Sequence, residues 1–273
     1  MSDPVPAIPE AEATGKTREI FEDLKATLGV SVVNLIWRHL ATMDGGLEWA
    51  WAAAKPIYTS GAAGAAEARM RAALIPPMPE PLVGGALHLV GLDGEARRTA
   101  RAVVAAYDRG NALNLMALTA LVTAPSGSAP TLASATQAQG EAVPLPPVLS
   151  EGDVSAATWR MVLALNTFGA RPDEPILATL YRHLAHWPGL LALIHAGFAP
   201  LEASGEIRRS IAQARDLARF EGGGLIQLAE TTGPRHEQAA AAITEFADHV
   251  ICRMVPIGIA LGRWMDDAAS AEA

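Results

Sequence analysis

The chain has 273 residues, of which 50% are hydrophobic, 18% charged and 5% aromatic. This apolar share is sufficient for a buried core and excludes an intrinsically disordered chain. With 21 Lys and Arg residues against 29 Asp and Glu residues, the formal net charge is −8 at pH 7. An acidic chain is disfavoured as a partner of nucleic acid or anionic membranes, because both attract basic patches.

The single cysteine and the first residues of the sequence narrow the class of protein further. The single cysteine, Cys252, cannot form an internal disulfide or a Cys-x-x-Cys site. The first residues carry neither the basic flank nor the apolar core of a signal peptide. No apolar run approaches the roughly 18 residues needed to span a bilayer. We therefore expect a soluble, cytoplasmic protein that binds neither nucleic acid nor membrane.

Taken in chain order, the segments predict helices. Apolar residues recur at three- and four-residue spacing from the start, as at Ile20, Leu24 and Leu28. This period is typical of amphipathic or buried helices. Thr14 is placed to begin the first helix and Gly29 to end it. Alternating β-branched runs flanked by turn residues are scarce, so the prediction is an all-α fold.

The helical pattern occurs twice. Residues 35–61 align with residues 179–205 at a constant offset of 144, with ten identities in 27 positions. Arg38–Ala41 matches Arg182–Ala185, and Ser60–Gly61 matches Ser204–Gly205. The repeat predicts two homologous helical halves related by a pseudo-twofold axis, with a pocket where they meet.

A stretch rich in Ala, Pro, Ser and Thr separates the two copies. It spans residues 123–150 and holds almost no charge, and its prolines prevent a continuous helix. We interpret it as an extended linker on the surface. The predicted organisation is a first repeat over residues 1–122, a linker over residues 123–150 and a second repeat over residues 151–273.

Motifs of several common enzyme classes are absent from the sequence. It has no phosphate-binding Gly-x-x-x-x-Gly-Lys-Ser/Thr loop, no His-Glu-x-x-His helix and no Gly-x-Ser-x-Gly elbow. Gly222–Gly224 follows no predicted strand, so a turn is predicted there. His183 and His186 have a spacing that suits a shared metal, but a role at an interface or helix end is favoured because no third ligand is evident. No metal site is predicted.

Three asparagines interrupt otherwise apolar helical stretches: Asn34, Asn111 and Asn114. A buried amide needs hydrogen-bond partners or costs about 1–3 kcal/mol. Each is therefore satisfied within the core or faces a polar pocket. Asn111 follows Gly110, so capping of a following helix is a further alternative for that residue.

Several of these segments carry a family resemblance. Val30–Leu35, Leu40–Thr42, Tyr107–Asn111 and Leu118–Leu121, in that order, resemble the group I 2-haloacid dehalogenases. These are the non-stereospecific D,L-haloacid dehalogenases, also called halocarboxylic acid dehydrogenases. Leu184–Pro188 resembles the Leu-Ala-Asn-Trp-Pro segment of the same family. The resemblance covers most of the chain apart from the linker.

The resemblance implies an all-helical, two-repeat fold, a homodimer, no cofactor and a small-molecule carboxylate as partner. It implies hydrolysis of a carbon–halogen bond alpha to that carboxylate. In the family an aspartate activates a water that attacks the alpha carbon directly, with inversion and no covalent ester. An asparagine helps to hold that water. The chemistry is coherent, because displacement needs an aligned nucleophile and a base.

Position by position, the resemblance assigns the water-holding asparagine to Asn111. It also implies a substrate pocket, which differs in shape from the family's because larger aromatic residues are replaced here. The residues that we predict to contact substrate are Val32, Asn34, Leu35, Asn114, Ala178, Thr179 and Leu180.

The catalytic aspartate of the family has no counterpart in this register. Counting back from Trp187–Pro188, its position falls on Leu180, and leucine cannot accept a proton. One hypothesis is that Asp173, seven residues earlier, reaches the same pocket and acts as the base. The alternative role for Asp173 is that of a loop carboxylate or a helix N-cap.

Two functions therefore follow as hypotheses. The first is a hydrolase that removes halide from small 2-halo carboxylic acids, with Asn111 positioning water and Asp173 as the base. The second is a catalytically altered homologue that binds a small apolar carboxylate without breaking carbon–halogen bonds. In the second, Arg38 and Arg182 either bind the carboxylate or extend to the surface.

Overall fold

A computed structural model describes residues 5–126, 144–172, 176–230 and 233–270. Within these ranges the secondary structure is helical and contains no strand, as the sequence predicts. The α-helices are α1 (Gly15–Leu28), α2 (Leu35–Leu40), α3 (Gly46–Thr59), α4 (Ala62–Ala73), α5 (Ala86–Leu89), α6 (Gly94–Val122), α7 (Ala156–Asn166), α8 (Thr179–His183), α9 (Pro188–Ala203), α10 (Glu206–Leu225), α11 (Glu237–Glu245) and α12 (Cys252–Ser270).

Shorter helical segments complete these ranges. A π-helix, Phe246–Ile251, joins α11 to α12. The 3-10 turns are Glu10–Glu12, Glu151–Asp153, Leu184–His186 and Ile226–Leu228. No helix of the described residues is long and apolar enough to cross a membrane.

Local sequence signals set several helix ends. Thr14 is the N-cap of α1, and Gly29 ends it in a left-handed conformation with φ of 64°. This confirms the predicted boundaries, since glycine adopts positive φ without steric cost. Asp93 caps α6 by accepting hydrogen bonds from the backbone N–H groups of Glu95 and Ala96.

Helix α6 is the central element of the fold. It packs against α3, α4, α10, α11 and α12. Every residue from Gly110 to Leu121 is buried, so this half of the helix is enclosed on all sides. Gly110 and Asn111 lie in the middle of the helix, which excludes the alternative that Asn111 caps a helix start.

The predicted turn at Gly222–Gly224 is wrong, because these glycines continue α10 to Leu225. Gly222 allows close packing of α10 against α6. A Cβ atom at Gly222 would lie 3.3 Å from the backbone nitrogen of Ala120 on α6. The absence of side chains therefore lets the two helices cross closely, and this packing outweighs the low helix propensity of glycine.

The described ends of the predicted linker contain no α-helix, and its central residues 127–143 lie outside the described ranges. Its second end is attached to α8 and the turn that follows. The carbonyl of Leu149 accepts a hydrogen bond from Nε of Arg182, and those of Pro146 and Pro147 accept from His183 and His186. These bonds hold the segment against the region that contains the candidate site.

Candidate active site

A small cavity lies where α2, α6, α8 and the π-helix converge. Its volume is about 30 Å³, which is room for about two water molecules. The short helices α2 and α8 both begin at this cavity. Its lining residues are Asn34, Leu35, Ile36, Tyr107, Asn111, Ala178, Thr179, Leu180, Phe246, Val250, Ile251 and Met254.

Two of the lining amides form a buried pair. Nδ2 of Asn34 donates a hydrogen bond to Oδ1 of Asn111 at 3.0 Å. Asn34 is also the N-cap of α2, yet its side chain makes no capping bond because it is turned towards α6. This bond uses Oδ1 of Asn111 and leaves its Nδ2 group as a donor for other partners.

The close approach of this pair depends on Gly110. A Cβ atom at Gly110 would lie 2.6 Å from Oδ1 of Asn34, well inside contact distance. A side chain there would require the amide of Asn34 to shift. The glycine in the middle of α6 is therefore a requirement of the site rather than of the helix.

Tyr107 lies one turn before Asn111 on α6 and borders the same cavity. Its hydroxyl is 3.3 Å from Nδ1 of His183, whose Nε2 is 2.6 Å from the carbonyl oxygen of Pro146. A carbonyl only accepts, so Nε2 of His183 donates and its Nδ1 accepts from Tyr107. Burial lowers the pKa of His183, and its hydrogen bond to Pro146 opposes this effect without cancelling it. The imidazole is therefore neutral at neutral pH.

Thr179 contributes a second polar group to the cavity. Its side chain is 8% exposed, and Oγ1 has no hydrogen-bond partner among the described residues. Leaving a buried hydroxyl unpaired costs about 1–3 kcal/mol. An unpaired hydroxyl at a cavity wall is available to a water molecule or to a polar ligand.

The rest of the cavity wall is apolar. Leu180 is 2% exposed and occupies the position at which the resemblance places a catalytic aspartate. None of the described residues that line the cavity is an aspartate or glutamate. Phe246, Val250 and Ile251 come from the π-helix, a rare element that is enriched at functional sites.

The structure brings together six of the residues predicted to form the site. These are Asn34, Leu35, Asn111, Ala178, Thr179 and Leu180. Val32 is half-buried against the core and is not among the lining residues. Asp173, the predicted base, lies outside the described residues.

Asn114 also lies outside the cavity lining and belongs to a separate buried cluster. Its Oδ1 accepts hydrogen bonds from Nε1 of Trp37 at 3.0 Å and from the hydroxyl of Tyr58 at 2.8 Å. Its Nδ2 has no partner among the described residues. We call Asn114, Trp37 and Tyr58 the Asn114 cluster. Of the two alternatives for Asn114, its oxygen matches the one satisfied within the core, while its nitrogen stays unpaired.

Several of the residues that line the cavity were not predicted from the sequence. They are Ile36, Tyr107, Phe246, Val250, Ile251 and Met254. Tyr107 carried a usable signal, since residues four apart on a helix share a face and Tyr107 precedes Asn111 by four. Ile36 follows two predicted pocket residues. The π-helix residues had no comparable signal.

His183, His186 and Arg182 each make a hydrogen bond to the linker end. Nε2 of His183 and Nε2 of His186 face the carbonyls of Pro146 and Pro147, which fits the interface role. No group of three His, Cys, Asp or Glu side chains suited to a metal occurs within the described ranges. Arg182 bonds to the linker end, and neither Arg182 nor Arg38 lines the cavity.

A larger open cleft of about 750 Å³ is lined in part by Arg171, Arg208 and Arg215. These cations already have partners. Arg171 is paired with Glu245 and Arg208 with Glu202, while Arg215 donates to the carbonyl of Asp248. The small cavity is the better candidate because it contains an unpaired buried hydroxyl and a buried amide pair.

Comparison with known proteins defines the class of fold first. A D-2-haloacid dehalogenase mutant in complex with D-2-CPA superimposes with a TM-score of 0.71 at 16% identity, over 98% of this chain and 97% of that chain. A D-2-haloacid dehalogenase with L-LA gives a TM-score of 0.69 at 17% identity over the same shares. The chain therefore has the all-helical fold of these dehalogenases.

The sequence comparison identifies a particular relative. The chain is 26% identical over 226 residues to a configuration-inverting 2-haloacid dehalogenase of Alcaligenes xylosoxydans xylosoxydans. The match covers 78% of this chain and 76% of the relative. No family model matches the chain. Homology to a 2-haloacid dehalogenase thus accompanies the shared fold.

Proposed function

We propose that this protein is a dehalogenase-like hydrolase that removes halide from small 2-halo carboxylic acids by direct attack of water. One observation carries the proposal: the Asn34–Asn111 amide pair and the unpaired hydroxyl of Thr179 border one small cavity whose other lining residues, apart from Tyr107, are apolar. Homology to a configuration-inverting 2-haloacid dehalogenase supports the same chemistry.

Each polar group has a distinct role in this proposal. Asn111 holds the attacking water through its amide nitrogen, while the bond from Asn34 fixes the orientation of that amide. Thr179 donates to the substrate carboxylate, which gives its buried hydroxyl a partner. Leu180 and the π-helix side chains surround the carbon chain and halogen. The polar contacts orient the substrate so that water faces the alpha carbon opposite the halogen.

The cavity is small, at about 30 Å³, so the substrates to test are the smallest 2-halo acids, chloroacetate and 2-chloropropionate. The solved structures of similar fold are named for the D enantiomer, whereas the sequence resemblance implies action on both. The proposed scope is 2-chloropropionate, with the enantiomer preference to be measured.

The test is halide release from each enantiomer of 2-chloropropionate by the wild type and by Asn111→Ala. We expect the wild type to release halide and the variant to release at least 100-fold less. Chiral analysis of the lactate formed should show inversion. Release by the wild type no higher than by Asn111→Ala would refute the hydrolase. A thermal shift with short carboxylates would then test the binding function in its place.

We also propose that the site is built at the junction of two homologous halves, residues 1–122 and 151–273, joined by the linker. Helices α2 and α8 begin at Leu35 and Thr179, at the offset of 144 found in the sequence repeat. Helices α4 and α10 begin at Ala62 and Glu206, at the same offset. The lining residues 34–36 and 178–180 are likewise equivalent, which supports a site shared by both halves.

A further inference from the structure

The cavity lacks a carboxylate among its described lining residues, so the proposed reaction needs another proton acceptor. Attack by water on carbon releases a proton, and general base catalysis contributes about 10²–10⁴-fold to such steps. The base must take a proton from a water held by Asn111. Among the described residues that line the cavity, one has an ionisable side chain.

That side chain is Tyr107. Residues 107 and 111 are separated by one turn of α6, so both project from the same face, with Cβ atoms about 5–6 Å apart. Tyr107 is 5% exposed and lines the cavity. A phenol oxygen has lone pairs that accept from water while its O–H group donates elsewhere. In this structure the hydroxyl faces Nδ1 of His183 at 3.3 Å.

His183 is oriented to receive the proton of Tyr107. The 2.6 Å bond from Nε2 to the carbonyl of Pro146 fixes the tautomer, leaving the Nδ1 lone pair towards Tyr107. The ring of His183 meets that of Tyr107 edge-on, with centroids 5.7 Å apart. The histidine is therefore held by an acceptor on one side and the phenol on the other, in the manner of a base oriented by a third group.

We propose that Tyr107 is the catalytic residue that accepts the proton of the attacking water and that His183 is the positioning residue that takes the proton of Tyr107. This inference rests on the proposed dehalogenase function. All hydrogen bonds of the arrangement run in one direction: Asn111 donates to water, water to Tyr107, Tyr107 to His183 and His183 to Pro146.

The proton and electron balance of the step is complete. As the oxygen of water bonds to the alpha carbon, the carbon–halogen bond breaks and the halide leaves with its electron pair. One O–H bond of the water breaks, its proton goes to the oxygen of Tyr107, and the proton of Tyr107 moves to Nδ1 of His183. The products are a 2-hydroxy acid, a halide ion and a protonated imidazole, which returns its proton to solvent.

Three variants test the pair. Tyr107→Phe removes the hydroxyl and keeps the ring. His183→Gln retains an amide donor and acceptor but cannot take a proton. Tyr58→Phe is the matched control, because Tyr58 is a buried tyrosine whose hydroxyl donates to Asn114 in the Asn114 cluster. Each is compared with the wild type for kcat and KM of halide release, for pH dependence and for melting temperature.

We expect Tyr107→Phe and His183→Gln to lower kcat at least 100-fold and to change KM less than threefold, with Tyr58→Phe within threefold of the wild type in both. In the wild type, kcat should fall as acidification protonates His183, and this limb should be absent from the residual rate of His183→Gln. Tyr107 and His186 are titratable side chains in contact with His183. A Tyr107→Phe enzyme that keeps a third or more of the wild-type kcat overturns the proposal.

Two further measurements distinguish a failure of the Tyr107–His183 pair from a failure of the proposed dehalogenase function. Nitrogen NMR of labelled histidine should show His183 protonated at Nε2 and not at Nδ1, with the Nδ1 resonance shifted in Tyr107→Phe. An Nδ1–H tautomer, or no shift, overturns the pair whatever the activity. Rate loss in Asp173→Asn alongside a fully active Tyr107→Phe assigns the base to Asp173. A wild type that releases no halide refutes the proposed function and, with it, the catalytic role of Tyr107.

Discussion

Asn111 and Asn114 lie three residues apart on one buried helix, yet their surroundings differ completely. Oδ1 of Asn111 accepts one hydrogen bond, from Asn34, and the side chain borders the cavity. Oδ1 of Asn114 accepts two, from Trp37 and Tyr58, and the residue is fully buried. Because a helix rotates about 100° per residue, the side chains of Asn111 and Asn114 point about 60° apart around the helix axis. This difference places one amide at the cavity wall and the other in the packed core.

The comparison shows what distinguishes a functional polar group from a structural one. The oxygen of Asn114 is occupied by donors from α2 and α3, so it has little capacity for a ligand. At the cavity the hydroxyl of Thr179 is unpaired, whereas the unpaired nitrogen of Asn114 lies outside the cavity lining, in closed packing. Polar groups at binding sites remain underused in the protein alone, because the ligand supplies the missing bonds.

The largest predicted contrast is between Asn111→Ala and Asn114→Ala. The first should lower kcat for halide release at least 100-fold, because it removes the donor that holds the attacking water. The second should keep kcat within threefold but lower the free energy of unfolding by about 1–3 kcal/mol, because two buried donors lose their acceptor. Halide assays and urea unfolding of both variants test this. Equal losses of activity would end the distinction between the two asparagines.

Thr179→Val tests whether the hydroxyl at the other side of the cavity binds substrate. Valine has nearly the same shape but no hydroxyl, so KM for 2-chloropropionate should rise roughly 10- to 100-fold through loss of a hydrogen bond to a charged group. Folding stability should stay constant or increase, since an unpaired buried hydroxyl is removed. Steady-state kinetics and thermal melting measure the two effects. An unchanged KM would exclude Thr179 from substrate binding.

Gly110→Ala tests whether the amide pair must be held in place. The new Cβ would contact Oδ1 of Asn34, so we expect kcat to fall about tenfold as the pair is displaced. Gly64→Ala on α4 is the control, because a Cβ there meets no atom within 4 Å. That control should keep its activity and gain about 0.5–1 kcal/mol in unfolding free energy. Similar kinetics for the two variants would contradict the role of Gly110.

The smallest predicted effect is a pH dependence of stability that arises near the cavity and not in the Asn114 cluster. Burial lowers the folded-state pKa of His183 below its unfolded value of about 6.5. Below that pH the unfolded chain binds a proton that the folded chain resists, so unfolding free energy should fall with acidification. The fall should stop once the pH passes below the folded-state pKa.

The Asn114 cluster should make no such contribution, because burial raises the pKa of Tyr58 and keeps it protonated. Urea unfolding from pH 8 to pH 5 should therefore show a shallower loss in His183→Gln than in the wild type. Tyr58→Phe should follow the wild-type slope. If His183→Gln and wild type lose stability in parallel, His183 is not the titrating group.

The sequence carried enough information for the helical class and for many residues of the candidate site. Gly29 ends α1 because its left-handed conformation is a local property of glycine, and Thr14 occupies the N-cap position with extended backbone and no side-chain capping bond. Asparagines in apolar helical stretches indicated positions that need partners, and six of the predicted site residues line one cavity. The turn predicted at Gly222–Gly224 was wrong, since local glycine content gave no sign of the crossing with α6.

Periodicity and the cost of burying a polar group are properties of each segment, so helices, and amides that need partners within an apolar interior, can be predicted from the sequence. Which partners those amides find depends on how the helices pack. Asn34 and Asn111 are 77 residues apart, and Tyr107 and His183 are 76 apart. Hydrogen bonding depends on distance and direction in space, which helix packing sets and the spacing of residues along the chain does not encode.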